Sequence, residues 1–171
     1  MDVDDECVKV VSSSCYSKAL SLFINMMESE AGVMCISLSG KPKHSLSESR
    51  NLSKVRSYLD EGSGNISSIQ LDIRGTDFQE RVWRELRKIP SGELRTYGEI
   101  AARLGVPGGA RAVGGAVAAN NLPLLIPCHR VVASEGLGGF SAYGGLKTKK
   151  KLLEFEDSFR RRQSHGNQLS R

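Results

Sequence analysis

The sequence predicts an α+β protein: a small mixed unit at the N-terminus, then a mostly helical unit that carries a helix-turn-helix. Three observations support this. Short apolar runs in the first third are bounded by turn formers, as strands are. Two capping signatures, Thr76-Asp77-Phe78-Gln79 and Thr96-Tyr97-Gly98-Glu99, open helical periodicities further on. A tight turn containing glycine then joins two short helical stretches.

In chain order, Cys7–Ser13 and Gly32–Leu38 read as strands, while Ala19–Met27 fits either a helix or a strand. The Ser-, Lys- and Pro-rich stretch 39–51 reads as a loop, followed by a short helix over Leu52–Leu59. Ile66, Ile69, Leu71 and Ile73 suggest a closing strand of imperfect period. From the Thr76 cap, Phe78, Val82, Leu86 and Ile89 recur at helical spacing until Pro90-Ser91-Gly92 stops the run, and Trp83 belongs to the buried edge. The Thr96 cap opens a helix ending at Gly105, and a second follows from Gly108 or Gly109 to Ala119. That second helix has one charged residue, Arg111, among Gly and Ala; small residues allow close approach to a groove or tight packing in a core. Residues 157–171 are polar and basic and are expected to be a disordered tail. The expected division is therefore 1–72, 73–156 and 157–171.

With 171 residues the chain suits one domain or two small ones, and no apolar run reaches the roughly 18 residues of a membrane span. The acidic start, Met1 to Glu6, is unlike a secretory signal, so a location inside the cell is expected. Cys7, Cys15, Cys35 and Cys128 read as free thiols, and Cys7, Cys15, Cys35 and His44 match no regular zinc spacing, so neither metal nor cofactor is expected. Residues 1–72 hold 7 Lys+Arg against 10 Asp+Glu, whereas 73–171 hold 17 against 9. The basic part points to a polyanionic partner, nucleic acid first.

The chemistry lies where the apolar segment Leu122-Pro123-Leu124-Leu125-Ile126-Pro127 runs into Cys128-His129-Arg130. A thiol reacts as thiolate, and its ordinary pKa of about 8.5 leaves it mostly protonated at neutral pH, so Cys128 needs assistance. His129 is the obvious helper. Adjacent side chains of an extended strand face opposite ways, so contact requires a bend at Pro127 or a bridging water.

Here the sequence resembles the O6-alkylguanine-DNA alkyltransferase family, whose Pro-Cys-His-Arg-Val signature matches Pro127 to Val131. Further matches are Gly75 to Trp83, Ser91-Gly92-Glu93 with Thr96-Tyr97, Ala110 to Gly114, and Asn120 eight residues before the cysteine, over residues 70–156 in the expected order. The resemblance implies a ribonuclease H-like N-terminal domain and a winged-helix-like C-terminal one. It implies a metal-independent, single-turnover repair protein, a monomer of the cytoplasm, or of the nucleus in a eukaryote. Such a protein moves an alkyl group from O6-alkylguanine, with O4-alkylthymine as a further candidate, onto Cys128. His129 would take the thiol proton through a water, with Glu156 on its far nitrogen and Glu154 as the rival carboxylate. Tyr97 would act as proton donor and Asn120 as brace. Arg111, Ala110, Gly114 and Thr96 would meet double-stranded DNA from the minor groove, with Arg111 filling the space left by the flipped base. Val131 and Ala133 would read guanine through their backbone, with Phe140, Ser141 and Tyr143 completing the pocket. Phe140 stands where the family usually has tyrosine, and Ala142-Tyr143 read as an insertion.

Three rivals are set against this reading. A non-catalytic binder of alkylated DNA would lack Cys128. A Cys-His hydrolase needs a histidine free to contact the thiol, and beyond His129 only His44 and His165, in loop and tail, could serve. A helix-turn-helix regulator needs more base-reading side chains than 108–119 offer.

Overall fold

The computed structural model describes residues 9–62 and 65–166, with side chains described as far as Arg161. Its N-terminal part is an antiparallel sheet of three strands in sequence order: β1 (Val11–Ser17), β2 (Leu22–Ser29) and β3 (Gly32–Ser39). The ambiguous stretch 19–27 resolves as strand from Leu22 onward, after a turn, because it pairs on both sides, Cys15 opposite Ile24 and Ile24 opposite Leu38. The first strand lies later than expected, and Cys7 is outside the described residues. Helix α1 (Arg50–Glu61) buries Leu52, Val55, Tyr58 and Leu59; Ser49 caps its start and Gly62, at φ 66°, ends it.

The expected closing strand shrinks to one bridge. Ile66 and Ile69 are both buried because Ile66–Ser68 is a 3-10 turn whose three-residue period brings them to one side. Beyond it the chain pairs with β3 only around Val33, whose N–H donates to the Gln70 carbonyl and whose carbonyl accepts from Asp72.

Both capping boxes form as expected, at Thr76 for α2 (Asp77–Leu86) and at Thr96 for α3 (Tyr97–Arg103). The Trp83 indole donates to the Ala116 carbonyl (2.8 Å), fastening α2 to α4 (Ala110–Ala118). Gly75 is required beneath this indole, since a Cβ there would lie 2.6 Å from the ring. The turn between α3 and α4 passes through Gly105 (φ 73°) and Gly108 (φ 83°), giving the helix-turn-helix. Next to it, β4 (Arg95–Thr96) pairs parallel with β5 (Val131–Val132), which ties the start of α3 to the cysteine segment.

The last helix, α5, runs Gly145–Gly166, so the expected disordered tail is helical as far as Gly166; residues 167–171 lie outside the described residues. The reason is Phe159. One turn after Phe155, it stacks on that ring at 6.3 Å and also covers Gly62. An Asp157–Arg161 pair (2.6 Å) adds to the same turn.

Candidate active site

Residues 122–131 are buried throughout. Asn120 holds them in a compact loop: its side chain accepts from the Leu122 N–H (2.9 Å) and donates to the Ile126 carbonyl (3.0 Å). Leu124 takes a left-handed φ of 77° within this loop. After Pro127, Cys128–Arg130 form a 3-10 turn rather than an extended strand, so adjacent side chains need not face opposite ways.

Cys128 is 5% exposed. Burial raises its pKa, opposed by hydrogen bonds from Asn120 and from the N–H groups of Cys128 and His129, and by the positive charge of Lys149. The thiol therefore rests protonated, in surroundings that favour the thiolate once the proton has a destination.

That destination is legible in His129. Its Nε2 lies 2.9 Å from Glu156 Oε1, both side chains being fully buried. Burial would raise the Glu156 carboxyl, yet the hydrogen bonds from His129 and Arg130 outweigh it and hold its pKa at about 2. An ionised carboxylate only accepts, so Nε2 carries the imidazole proton and Nδ1 keeps its lone pair. Nδ1 is buried and has no hydrogen-bond partner among the described residues. Burial also pushes the His129 pKa down against the pull of Glu156, so the ring rests neutral. Glu154, the rival carboxylate, is exposed.

Glu156 is shared. Arg130 binds it through Nε (3.0 and 3.1 Å) and Nη2 (2.6 Å), and Arg130 Nη1 donates to the Ile89 carbonyl. The Gly92 N–H donates to Oε2 (3.2 Å), and the Tyr58 hydroxyl of α1 donates to Oε1 (3.3 Å).

Tyr97, at the start of α3, is half-buried, with its hydroxyl beside Gly138 and bonded by the Gly139 backbone. Burial, then the neighbouring Cys128, raises its pKa, which keeps the phenol protonated. Gly114 of α4 faces the same ring, where a Cβ would meet it at 4.0 Å.

The remaining predicted residues are spread over two surfaces. Arg111 is exposed on α4 with Ala110 and Gly114 partly covered, while the Thr96 hydroxyl is engaged with Glu99 at the helix cap. The Val131 carbonyl accepts from Lys149 Nζ (2.6 Å). Ala133 packs beside Gly138, Phe140 is half-buried, and the Ser141 hydroxyl donates to the Ala118 carbonyl (3.1 Å). Tyr143 is 55% exposed and its hydroxyl stands over Gly40, at the end of β3. With Ile36, Leu38, Lys43, Asn120 and Ser141 it lines a cavity of about 470 Å³. Its hydroxyl is thus committed toward the N-terminal sheet.

Sequence reasoning missed Lys149 and Tyr58. Lys149 is fully buried, and its ammonium also donates to Leu137 (2.5 Å) and Gly139 (3.1 Å) carbonyls, drawing the 137–139 loop onto β5. It hides in the basic run Lys147-Thr148-Lys149-Lys150-Lys151, which resembles a solvated face. Only its phase, three residues before Leu152 and seven before Glu156, marks it as inward. Among the described residues no group of three or more His, Cys, Asp or Glu could hold a metal ion.

Residues 77–158 match the family model described as 6-O-methylguanine DNA methyltransferase, DNA binding domain. A probable methylated-DNA–protein-cysteine methyltransferase of Acanthamoeba polyphaga mimivirus is 40% identical over 106 residues, which cover 62% of this chain and 70% of that one. The crystal structure of Mycobacterium tuberculosis O6-methylguanine methyltransferase superposes with a TM-score of 0.74 at 33% identity, over 88% of this chain and 94% of that one. This chain belongs to the methylated-DNA–protein-cysteine methyltransferase family. The family member of Mycobacterium bovis is 53% identical over 91 residues, so the chain spans about half of its length (54%). A second M. tuberculosis structure, in complex with DNA, superposes with a TM-score of 0.71 at 31% identity, over 86% of this chain and 93% of that one. The α+β architecture is thus that of solved family members.

Proposed function

We propose that this protein repairs alkylated double-stranded DNA by moving an alkyl group from O6 of guanine to Cys128, once per molecule. The observation that carries the reading is the buried Cys128–His129–Glu156 arrangement, with the Nδ1 lone pair of a neutral imidazole left for a proton.

His129 Nδ1 takes the thiol proton through a water, and Glu156 stabilises the imidazolium. The thiolate attacks the alkyl carbon in line; the S–C bond forms as the C–O6 bond breaks, and its electron pair passes to the guanine. Tyr97 gives a proton to the departing base, so guanine leaves neutral. Asn120 holds the cysteine turn against this displacement. The thioether offers water no leaving group, which makes the reaction stoichiometric.

The target atom is out of reach within a duplex, so the nucleotide is flipped out at a cost of a few kcal/mol. The small-residue face of α4, with Ala110 and Gly114, enters the minor groove, Arg111 fills the vacated stack, and Thr96 flanks it at the base of α3. Val131 and Ala133 read the base through the backbone, Phe140 stacks on it, Ser141 lines the pocket, and Tyr143 completes it only by swinging away from Gly40. O4-alkylthymine is a further substrate of the same pocket. In this reading the alkyl-transfer domain is 73–156, winged-helix-like, behind a ribonuclease H-like domain over 1–72. The protein acts as a monomer, in the cytoplasm or, in a eukaryote, in the nucleus.

The test is intact-mass analysis after incubation with a duplex containing O6-methylguanine. One added methyl, mapped to Cys128 and absent from Cys128→Ser, is expected. A methyl elsewhere, or turnover beyond one equivalent, would overturn the reading. Binding of the lesion without mass gain would favour the non-catalytic binder.

A further inference from the structure

The first 62 residues carry no nucleophile used above, yet one of their side chains reaches the proton relay. Tyr58, on the inner face of α1, is 9% exposed, and its hydroxyl donates to Glu156 Oε1, the same oxygen that faces His129 Nε2. The other side-chain donors on that oxygen, among the described residues, are His129 and Arg130, both of the cysteine turn, whereas Tyr58 comes from the N-terminal part. The Ser91 hydroxyl lies 3.2 Å from the Tyr58 oxygen; with the phenol proton given to Glu156, Ser91 must donate to Tyr58. The Tyr58 ring is held edge-on against Phe155, one residue from Glu156, at 5.6 Å. Ring and hydroxyl are therefore both fixed.

We propose that Tyr58 is a positioning residue for the relay: its hydroxyl holds Glu156 Oε1 on His129 and shares its charge, so the N-terminal part sets the proton affinity of the imidazole. This rests on the alkyl-transfer reading only for its catalytic meaning. The groups facing His129 are Glu156 and Lys149 of α5, Arg130 of its own turn, and, through Glu156, Tyr58 of α1 and Gly92 of the preceding loop. Burial, then the nearby carboxylate, raises the Tyr58 pKa, which keeps the phenol a donor over the working pH range. A hydrogen bond to a carboxylate draws charge from it; without that bond Oε1 is more negative and holds the imidazolium more tightly.

The experiment is a pH titration of the His129 ring by nitrogen-15 NMR in the full chain and in Tyr58→Phe, paired with single-turnover methyl transfer against pH. In Tyr58→Phe the imidazole is expected to protonate about half a pH unit higher, a roughly threefold gain in proton affinity, with the acid limb of the rate profile moving equally. A packing role alone would lower the rate at every pH without moving that limb. An unmoved or lowered His129 titration in folded Tyr58→Phe overturns the proposal. If Tyr58→Phe does not fold, Ser91→Ala decides: a smaller upward shift supports the proposal, and no shift overturns it. A wild-type chain that transfers no methyl would count against the proposed function, while the NMR titration would still decide this inference.

Discussion

Asn25 in the N-terminal sheet and Glu156 in α5 are almost equally buried, at 2% and 1% exposure, but they are satisfied in opposite ways. Asn25 is neutral. Its oxygen accepts from Ser14 and from the Lys43 N–H (both 2.8 Å), and its amide donates to Ser39 (2.8 Å) and the Ser37 carbonyl (3.1 Å). That network folds the 40–45 loop back over β1, where Ser14 also receives the His44 N–H. Glu156 is charged, and a guanidinium, an imidazole, a phenol and a backbone N–H converge on it. The first network has nothing to titrate; the second ends at an imidazole nitrogen with no hydrogen-bond partner among the described residues, on the residue that follows the buried Cys128. Burial of polar groups by itself therefore says little about function. Burial of charge with one lone pair left over says a great deal.

The sharpest break of this contrast is Arg130→Ala, which leaves a buried carboxylate without its principal cation. We expect a loss of about 3–5 kcal/mol in unfolding free energy, measured by urea denaturation at pH 7. A loss under 1 kcal/mol would mean that the carboxylate is not held as an ion. Next comes Glu156→Gln, which keeps the shape and removes the charge. Single-turnover transfer should fall about a hundredfold or more, because the imidazolium loses its stabiliser. The variant also tests the pH dependence of folding. A carboxyl at about 2 in the fold, against an ordinary 4.5, contributes stability that is complete above 4.5 and lost as pH falls toward 2. That window corresponds to about 3 kcal/mol, and Glu156→Gln should flatten the wild-type slope across it.

On the neutral side, Asn25→Ala takes the acceptor from the Lys43 N–H and one partner each from Ser14 and Ser39, which keep His44 and Lys41, so a cost of about 1–3 kcal/mol is expected. Methyl transfer per folded molecule should stay at the wild-type rate. A slowed rate with normal folding would join the two networks and erase the distinction drawn between them.

What was legible in the sequence follows the range of the interactions. The capping boxes at Thr76 and Thr96 depend on residues three apart, and both formed. So did the helix-turn-helix, whose glycine turn is local. Cys128 and His129 were legible by adjacency, and Glu156 by its resemblance to the family pattern, but Glu154 was separated from it only by the phase of α5 against the cysteine turn. Lys149 and Tyr58 were not legible, because their partners lie between 10 and 98 residues away along the chain. Ile66, Ile69, Leu71 and Ile73 mixed periods of two and three, and the 3-10 turn took the first pair.

The smallest expected effect concerns the stretch where expectation and structure differ most. Residues 157–166 looked too polar to fold, yet α5 continues through them because Phe159 lands on Phe155 and Gly62, and Arg160 lies along Gly92. One ring is a modest anchor for two and a half turns, so Phe159→Ala should free the end of α5 at a cost of about 1 kcal/mol, seen as faster amide exchange beyond Asp157. Gly92 donates to Glu156 from one side of this contact and Phe155 supports Tyr58 from the other, so the relay is braced without Phe159. Methyl transfer should then be unaltered. If it slows while exchange before Asp157 stays normal, the last turns of α5 belong to the charged network, and the boundary between chemistry and packing lies further along the helix than Glu156.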